Sequence, residues 1–442
     1  MTKLNTRQLL GLALPSAASV VLTNAYRSVD QYWLQWVSTD AQAAVGSLAF
    51  VLIAGFAFFE VTAVGAAPLI ARATGAENPE ERRKVLGTAL SLSVMTGFAL
   101  GAVGYLFASA VPGMLGLSGG AAEQSVIYLQ ALSLTLLPLA ITPLIDQAFI
   151  ATGDMRTPMI LQGLALTLNI AMTPFLVFDE FLSLPGMGIG VAGAAYGSNA
   201  SRLVTAVLGY LWLRERTGLR LIDTRLGEQV ARILRVGIPA GAGTLLFASV
   251  YWVLLVTSVS PLGPHVNAAL GIGFSALEGL TWPIFHGVSI AVGSVVGRAL
   301  GAGKPEIADD CIRLATPLIL TGGVVASLVF FFGARTLTGF FTEDPAVHEA
   351  ATTYALVLAA SQVFIALEAL AEGVLVGAGD TKTVLAISLP LNVLRIPLAY
   401  LLAFPLGWGA VGIWWAINIT SIAKALGKLH FMRRGGWKRL VI

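Results

Sequence analysis

Uninterrupted apolar runs of roughly twenty residues or more recur along this chain, and nothing constrains its fold more. A helix needs about 20 apolar residues to cross a bilayer. Windows of that kind fall at about 9–37, 44–70, 86–112, 124–150, 158–178, 188–213, 232–258, 267–296, 312–334, 348–376, 384–404 and 408–431, twelve in all. Of 442 residues, 56% are hydrophobic and only 12% charged, with a mean hydropathy of +0.80. A chain of this composition cannot cover itself with polar surface, so it is predicted to be an all-α integral membrane protein. Spanning strands would read as short alternating segments, which these are not.

Orientation follows from Lys and Arg. With the N-terminus inside, 23 of the 27 fall at cytoplasmic segments, Lys424 and Lys428 among them. Arg335 falls at an external loop, and Arg27, Arg202 and Arg395 lie within spans. The expected protein is a multi-pass component of the cell (inner) membrane with both termini cytoplasmic. The first apolar stretch is long, carries charges and has no convincing cleavage site, so it reads as a span and not as a cleavable signal. The net charge of +3 reflects the loops and implies no nucleic-acid partner. A single cysteine, Cys311, excludes an internal disulfide and a Cys-based zinc site. The four histidines, His265, His286, His348 and His430, are scattered, so no metal site and no cofactor is expected. Most of the tryptophans are expected at the membrane interfaces or facing lipid.

The chain repeats itself. "RATGAENPE" at 72–80 matches "RALGAGKPE" at 298–306 at six of nine positions, and "GDMRT" at 153–157 matches "GDTKT" at 379–383. Both pairs are 226 residues apart; Pro15 recurs as Pro239, two residues out of step. Each half holds six spans, an even number, so both halves start on the same side and are related by an axis along the membrane normal. The expected architecture is twelve transmembrane helices in two pseudo-symmetric six-helix bundles, an N-terminal lobe at 1–213 and a C-terminal lobe at 232–442, joined by a cytoplasmic linker at 214–231. The repeated Gly, Pro and Asp residues read as helix ends and turns. "GMGIGVAG" contains a formal GxGxxG, but no strand precedes it in a βαβ unit. No Walker A pattern, HExxH or triad is present, so the chain is not read as an enzyme and any transport must use an ion gradient or none.

Ionisable residues inside spans cost roughly 2.5–3.5 kcal/mol at a helix centre and face an interior or a wet cavity. This chain keeps Asp30, Glu60, Asp146, Glu278, Glu368 and Glu372 there. Asp30 stands out because it lies deep in the first span, three residues after Arg27. Loss of water favours the protonated form of such a carboxyl and a nearby cation favours the ionised one. Arg27 and Asp30 share a helix face and could form a neutral pair; alternatively Asp30 binds a coupling cation or a substrate. Tyr26, Tyr32 and Trp33 could line an aromatic cavity for a lipophilic cation. Asp146, Glu372, Glu60, Glu278 and Glu368 also admit purely structural readings.

The blocks "PSAASVVLTNAYRSVDQYWL", "APLIARATGAENPEERR", "DQAFIATGDMRTPMILQGLALTLNIAMTPF", "GVAGAAYGSNASRL", "VGSVVGRALGAGKPEIA" and "GVLVGAGDTKTVLAISLPLNVLRIPLAYLL" resemble the multidrug and toxic compound extrusion (MATE) transporters over nearly the whole chain. The family fold is two six-helix bundles, and its members exchange Na⁺ or H⁺ for organic, often cationic, compounds. The chain looks most like the DinF-type branch, with Asp30 fifteen residues after Pro15, Tyr128 and Asn169 at matching positions. Thr173 stands where that branch often has a second Asp. Ion coupling is expected at Asp30, Asn169, Thr173 and Asn24, and a substrate cavity at Tyr26, Arg27, Tyr128, Asn199, Glu278 and Glu368. Pro15 would allow the first helix to bend.

The expected function is secondary active efflux by alternating access, H⁺ being favoured over Na⁺ because one carboxylate can carry a proton. Small organic substrates and membrane lipids are the expected partners, and the protein is expected to be monomeric. A lipid-linked or polysaccharide flippase is the rival of the same superfamily; it needs a cationic cavity, which only Arg27, Arg202 and Arg395 could line. A membrane receptor or scaffold without a transport cycle is the rival of another class, and the repeat and the buried carboxylates argue against it.

Overall fold

The computed structural model describes residues 5–442, apart from the side chains of Arg27, Phe50, Leu221 and Ser275. The first half runs α1 (Thr6–Leu34), α2 (Thr39–Ser47), α3 (Ala49–Gly75), α4 (Pro79–Phe107), α5 (Val111–Met114), α6 (Gly119–Leu134), α7 (Leu137–Thr152) and α8 (Arg156–Val177). A two-residue hairpin, β1 (Glu180–Phe181) and β2 (Leu184–Pro185), leads to α9 (Val191–Thr217). The second half runs α10 (Gln229–Leu254), α11 (Pro264–Gly271), α12 (Glu278–Gly301), α13 (Pro305–Gly339), α14 (Pro345–Ala359), α15 (Gln362–Ala378), α16 (Thr381–Ala403) and α17 (Gly409–Arg434). Among the described residues nine helices are long and apolar enough to cross a membrane, or eleven spans with each of two bent pairs counted as one. The window at 188–213 is filled by α9. Its 27 residues reach far enough, but Ser198, Asn199, Ser201 and Arg202 make it more polar than the rest.

The repeated blocks punctuate both halves alike. Gly153 and Gly379 end α7 and α15 with φ of +95° and +87°, a conformation only glycine adopts freely. The aspartate that follows satisfies the start of the next helix: Asp154 accepts from the Thr157 amide at 3.0 Å, and Asp380 from the Thr383 amide at 3.3 Å.

Two spans expected to be single helices are broken. α6 and α7 meet at 58°, and α14 and α15 at 57°. At each break an asparagine from another helix bonds into the opened ladder. Asn199 Nδ2 donates to the Leu132 carbonyl at 3.2 Å and to Thr135 Oγ1 at 2.7 Å. Asn418 Nδ2 donates to the Val357 carbonyl, and Asn418 Oδ1 accepts from Ser361 Oγ at 2.7 Å. A side chain inserted into the i→i−4 ladder is a recognised cause of a sharp kink.

The chain divides into two compact units, Ala18–Gly241 and a second made of residues 1–17 with Ala242–Ile442. In the first, α10 begins against α3: a β-carbon on Gly237 would overlap the Val61 backbone. In the second, α1 begins against α12: a β-carbon on Gly287 would overlap the Ala17 backbone. Small residues at such crossings let helices approach closely. The 218–228 connection is also held down, with Thr88 Oγ1 and Ser91 Oγ donating to the Arg225 and Thr224 carbonyls at 3.1 and 2.7 Å. The first unit buries Leu34, Val45, Tyr128, Leu132, Val177 and Ala194 together. The second has cores around Val292, Val295, Leu370 and Val374, and around Phe330, Tyr354, Leu358 and Trp414. Trp414 and Trp437, each 2% exposed, therefore depart from the interfacial or lipid-facing placement expected of most tryptophans.

Candidate functional site

In the first unit, α1, α8 and α9 bring their polar residues to one place. Asp30 is 7% exposed, and side chains hold both of its carboxylate oxygens. Ser198 Oγ donates to Oδ2 at 2.7 Å, and Asn169 Nδ2 lies 3.3 Å from Oδ1. The same Nδ2 is 3.0 Å from Thr173 Oγ1 and 3.2 Å from Ser198 Oγ. Asn169 Oδ1 is buried without a partner. One turn before Asp30 on the same face of α1, the Tyr26 hydroxyl donates to the Ser198 carbonyl and meets Ser201 Oγ. The Arg202 guanidinium lies over the Tyr26 ring, 4.2 Å from its centroid. Two carboxylate oxygens, two hydroxyls and an amide thus converge at a buried place, with the Arg202 guanidinium beside them among the described residues.

The second unit carries a polar cluster on α15, α16 and α17. Lys428 Nζ lies 2.7 Å from Glu368 Oε1 and 2.6 Å from Glu372 Oε2, and Lys424 Nζ is 3.4 Å from Glu368. Arg395, 1% exposed, donates through Nε to Thr420 Oγ1 at 2.9 Å and through Nη2 to Ser421 Oγ at 3.2 Å. Its guanidinium sits 5.3 Å from the Tyr251 ring centroid. Glu278 accepts from the Tyr354 hydroxyl.

Of the residues singled out from the sequence, Asp30, Asn169, Thr173 and Tyr26 come together. Tyr128 is buried nearby in the hydrophobic core of the same unit. Asn24 is exposed and stands outside the cluster, because six residues place it roughly 240° round the helix from Asp30. Asn199 faces α6 and supports its break, one residue past Ser198 and therefore turned away. Glu278 and Glu368 lie in the second unit, each already bonded to a side chain there. The side chain of Arg27, the expected partner of Asp30, lies outside the described residues. Pro15 falls inside α1. Asp146 Oδ2 accepts from Gln162 at 2.6 Å. Lys424 and Lys428, counted from the sequence among the cytoplasmic cations at the end of the 408–431 window, lie inside α17, and Lys428 is 2% exposed. A carboxylate on the neighbouring helix makes that burial tolerable. Ser198 and Ser201 were missed, and Arg202 reads from the sequence only as an in-span cation, not as a neighbour of Tyr26. The signal was the polar run "GSNASR" at 197–202 within an apolar window.

The MatE family profile matches the chain twice, over residues 15–175 and 239–401. A probable multidrug resistance protein NorM of Thermotoga maritima is 28% identical over 448 residues, covering 99% of this chain and 94% of that protein. An outward-facing multidrug resistance MATE family transporter of the MOP superfamily has the same fold, with a TM-score of 0.88 at 20% identity over 99% of this chain and 97% of that one. A MOP superfamily transporter from Pyrococcus furiosus, described as having a binding pocket of reverse polarity that suggests a different function, also gives 0.88 at 20% identity, over 98% and 97%. With both of its halves matched and the same fold in solved members, the chain belongs to the MatE family of membrane transporters.

Proposed function

We propose that the protein is a cation-coupled antiporter that exports organic compounds, with Asp30 as the coupling carboxylate and H⁺ as the ion. One observation carries this reading. Asp30 is buried in α1, yet both its oxygens are bonded from α8 and α9, so its charge state is felt by three helices at once.

Ionised Asp30 accepts from Ser198 and Asn169. A proton arriving at Oδ1 turns that oxygen from acceptor to donor, and the Asn169 amide then faces it with the wrong end. Rotating the amide offers Oδ1, the atom now buried without a partner, and satisfies it. The rotation also gives up the bonds from Nδ2 to Thr173 and Ser198. Protonation thereby loosens α1 from α8 and α9. Pro15 has no amide hydrogen to offer the Gly11 carbonyl, so α1 bends there at low cost. Loss of the proton on the other side restores the bonds and resets the cycle. Both termini are taken as cytoplasmic.

The same amide rotation would present five oxygens to Na⁺, the two of Asp30 with Asn169, Thr173 and Ser198. Na⁺ is therefore the alternative that the experiment must separate. Proteoliposomes loaded with ethidium are given either a pH gradient at equal Na⁺ or a Na⁺ gradient at equal pH. Efflux with the pH gradient alone is expected. Efflux with the Na⁺ gradient alone overturns the proton assignment, and no efflux with either overturns coupled transport.

A further inference from the structure

Arg395 is the outstanding buried charge of the second unit. It is 1% exposed, and its two bonded nitrogens reach only the hydroxyls of Thr420 and Ser421. Among the described residues no carboxylate lies within ion-pair distance of it. The carboxyls of the region are engaged elsewhere: Glu368 and Glu372 by Lys428, with Lys424 also on Glu368, and Glu278 by the Tyr354 hydroxyl. A guanidinium inside a membrane-embedded bundle without a counter-ion is costly, and such residues mark substrate pathways.

Two further features surround it. Lys424 lies one helical turn beyond Thr420 and Ser421 on α17, so it projects from the same face. It is held to Glu368 only at 3.4 Å, whereas Lys428 takes that carboxylate at 2.7 Å, and 13% of the Lys424 side chain remains exposed. The ring beneath Arg395, Tyr251, belongs to an aromatic trio. Phe247 and Tyr251 have centroids 4.7 Å apart, and Phe274 lies 5.4 Å from Tyr251 and 6.1 Å from Phe247. Phe274 is 39% exposed, so the trio whose Tyr251 lies beneath Arg395 also carries an exposed ring.

We propose that this cluster binds the acidic group of an aromatic organic anion, a carboxylate, sulfonate or phosphate ester, with Arg395 and Lys424 on the charge and the Phe247–Tyr251–Phe274 face on the ring. The guanidinium fork matches the geometry of such acids, which a point charge does not. The aromatic face supplies contact area without charge preference. The substrate range then includes anions and zwitterions, beyond the lipophilic cations expected from the sequence. This inference rests on the transporter reading for its biological meaning, but the binding site itself does not require coupling.

The test uses the full-length purified protein with fluorescein as aromatic carboxylate and ethidium as cation, both followed by fluorescence anisotropy. Saturable fluorescein binding, displaced by a naphthoate, is expected for the unaltered chain. Arg395→Gln should weaken it about tenfold or more, the scale of a lost charged hydrogen bond, with ethidium binding changed less than about twofold. Arg395→Lys keeps the charge but loses the fork, so its effect should fall between. Lys424→Gln lies at the edge of the cluster and should weaken fluorescein binding by roughly threefold; it decides the matter if Arg395→Gln does not fold. Absence of saturable fluorescein binding to the unaltered chain, or equal binding by the folded variants, overturns the proposal. Ethidium efflux without fluorescein binding removes the anion site and leaves transport standing. Fluorescein binding without gradient-driven efflux does the reverse.

Discussion

The Asp30 and Arg395 clusters sit on corresponding helices of the two repeats and carry opposite chemistry. Asn169 on α8 and Arg395 on α16 are 226 positions apart, the spacing of the repeated blocks. Pro15 and Pro239 are 224 apart, and the same step places Leu254 opposite Asp30. A carboxylate with a neutral amide in the first unit thus becomes a leucine with a guanidinium in the second. Leu254 is fully buried in its hydrophobic core. The scaffold around them has not changed in the same way. Asn199 and Asn418 make equivalent bonds at equivalent breaks, with 58° and 57° bends. They are 219 apart, seven fewer than the repeat, and the hairpin between α8 and α9 lies where the extra residues of the first half fall. Helix ends, breaks and close crossings are shared, while the charge of each site depends on two or three positions.

The largest effect expected from this contrast is at Asp30. Asp30→Asn keeps an acceptor for Ser198 but cannot exchange a proton, so gradient-driven efflux should fall to background while the protein remains folded. Efflux at the unaltered rate would show that the first unit is not the coupling half. Next is Lys428, whose counterpart in α9 at the 219 step is Gly209. Lys428→Met leaves Glu368 and Glu372 without their shared ammonium and should cost about 3–5 kcal/mol, the scale for a broken buried pair. Adding Glu368→Gln should recover part of that loss in thermal unfolding. A loss below about 1 kcal/mol for the single variant would mean that the ion cluster contributes little to the second unit.

The shared scaffold makes a smaller and matched prediction. Asn199→Ala and Asn418→Ala each remove two interhelical bonds at a helix break, and each should lower stability by about 1 kcal/mol. Unequal losses would show that the two breaks are not equivalent supports. The smallest effect is at Asp154, in the turn between α7 and α8. Burial works to raise its pKa, but hydrogen bonds from Thr157 and the Arg216 guanidinium outweigh this and hold it below the ordinary 3.8. A depressed carboxyl stabilises the folded form above the unfolded value and loses that contribution as the pH falls through the folded one. Arg216 is 55% exposed, so the ion pair is screened. Asp154→Asn should therefore cost less than about 1 kcal/mol at neutral pH, and the difference from the unaltered chain should vanish in acid. Melting curves across pH check both the size and the direction.

Much of the molecule was legible in the order of residues. Apolar runs define membrane helices because a bilayer offers no partner for an open backbone. The 226-residue repeat, the glycine and aspartate at each turn, and a carboxylate isolated in the first span are also local facts, readable without coordinates. Side-chain partners between helices were not, because rotation and depth of one helix against another are set by packing and not by spacing along the chain. Ser198 reaches Asp30 across 168 positions, and Lys428 reaches Glu368 across 60. From the sequence Lys424 and Lys428 count only as cytoplasmic-side cations, since a lysine near the end of an apolar run reads as an anchor until the facing helix is known to present two carboxylates. The breaks at α6–α7 and α14–α15 were hidden for the same reason, each depending on an asparagine from a distant helix. The sequence by itself determined that this chain spans a membrane as two related halves. Only the tertiary structure decided which half holds an acid among hydroxyl and amide donors and which, among the described residues, holds a guanidinium without a carboxylate partner, because a buried charge is defined by what the fold brings to it.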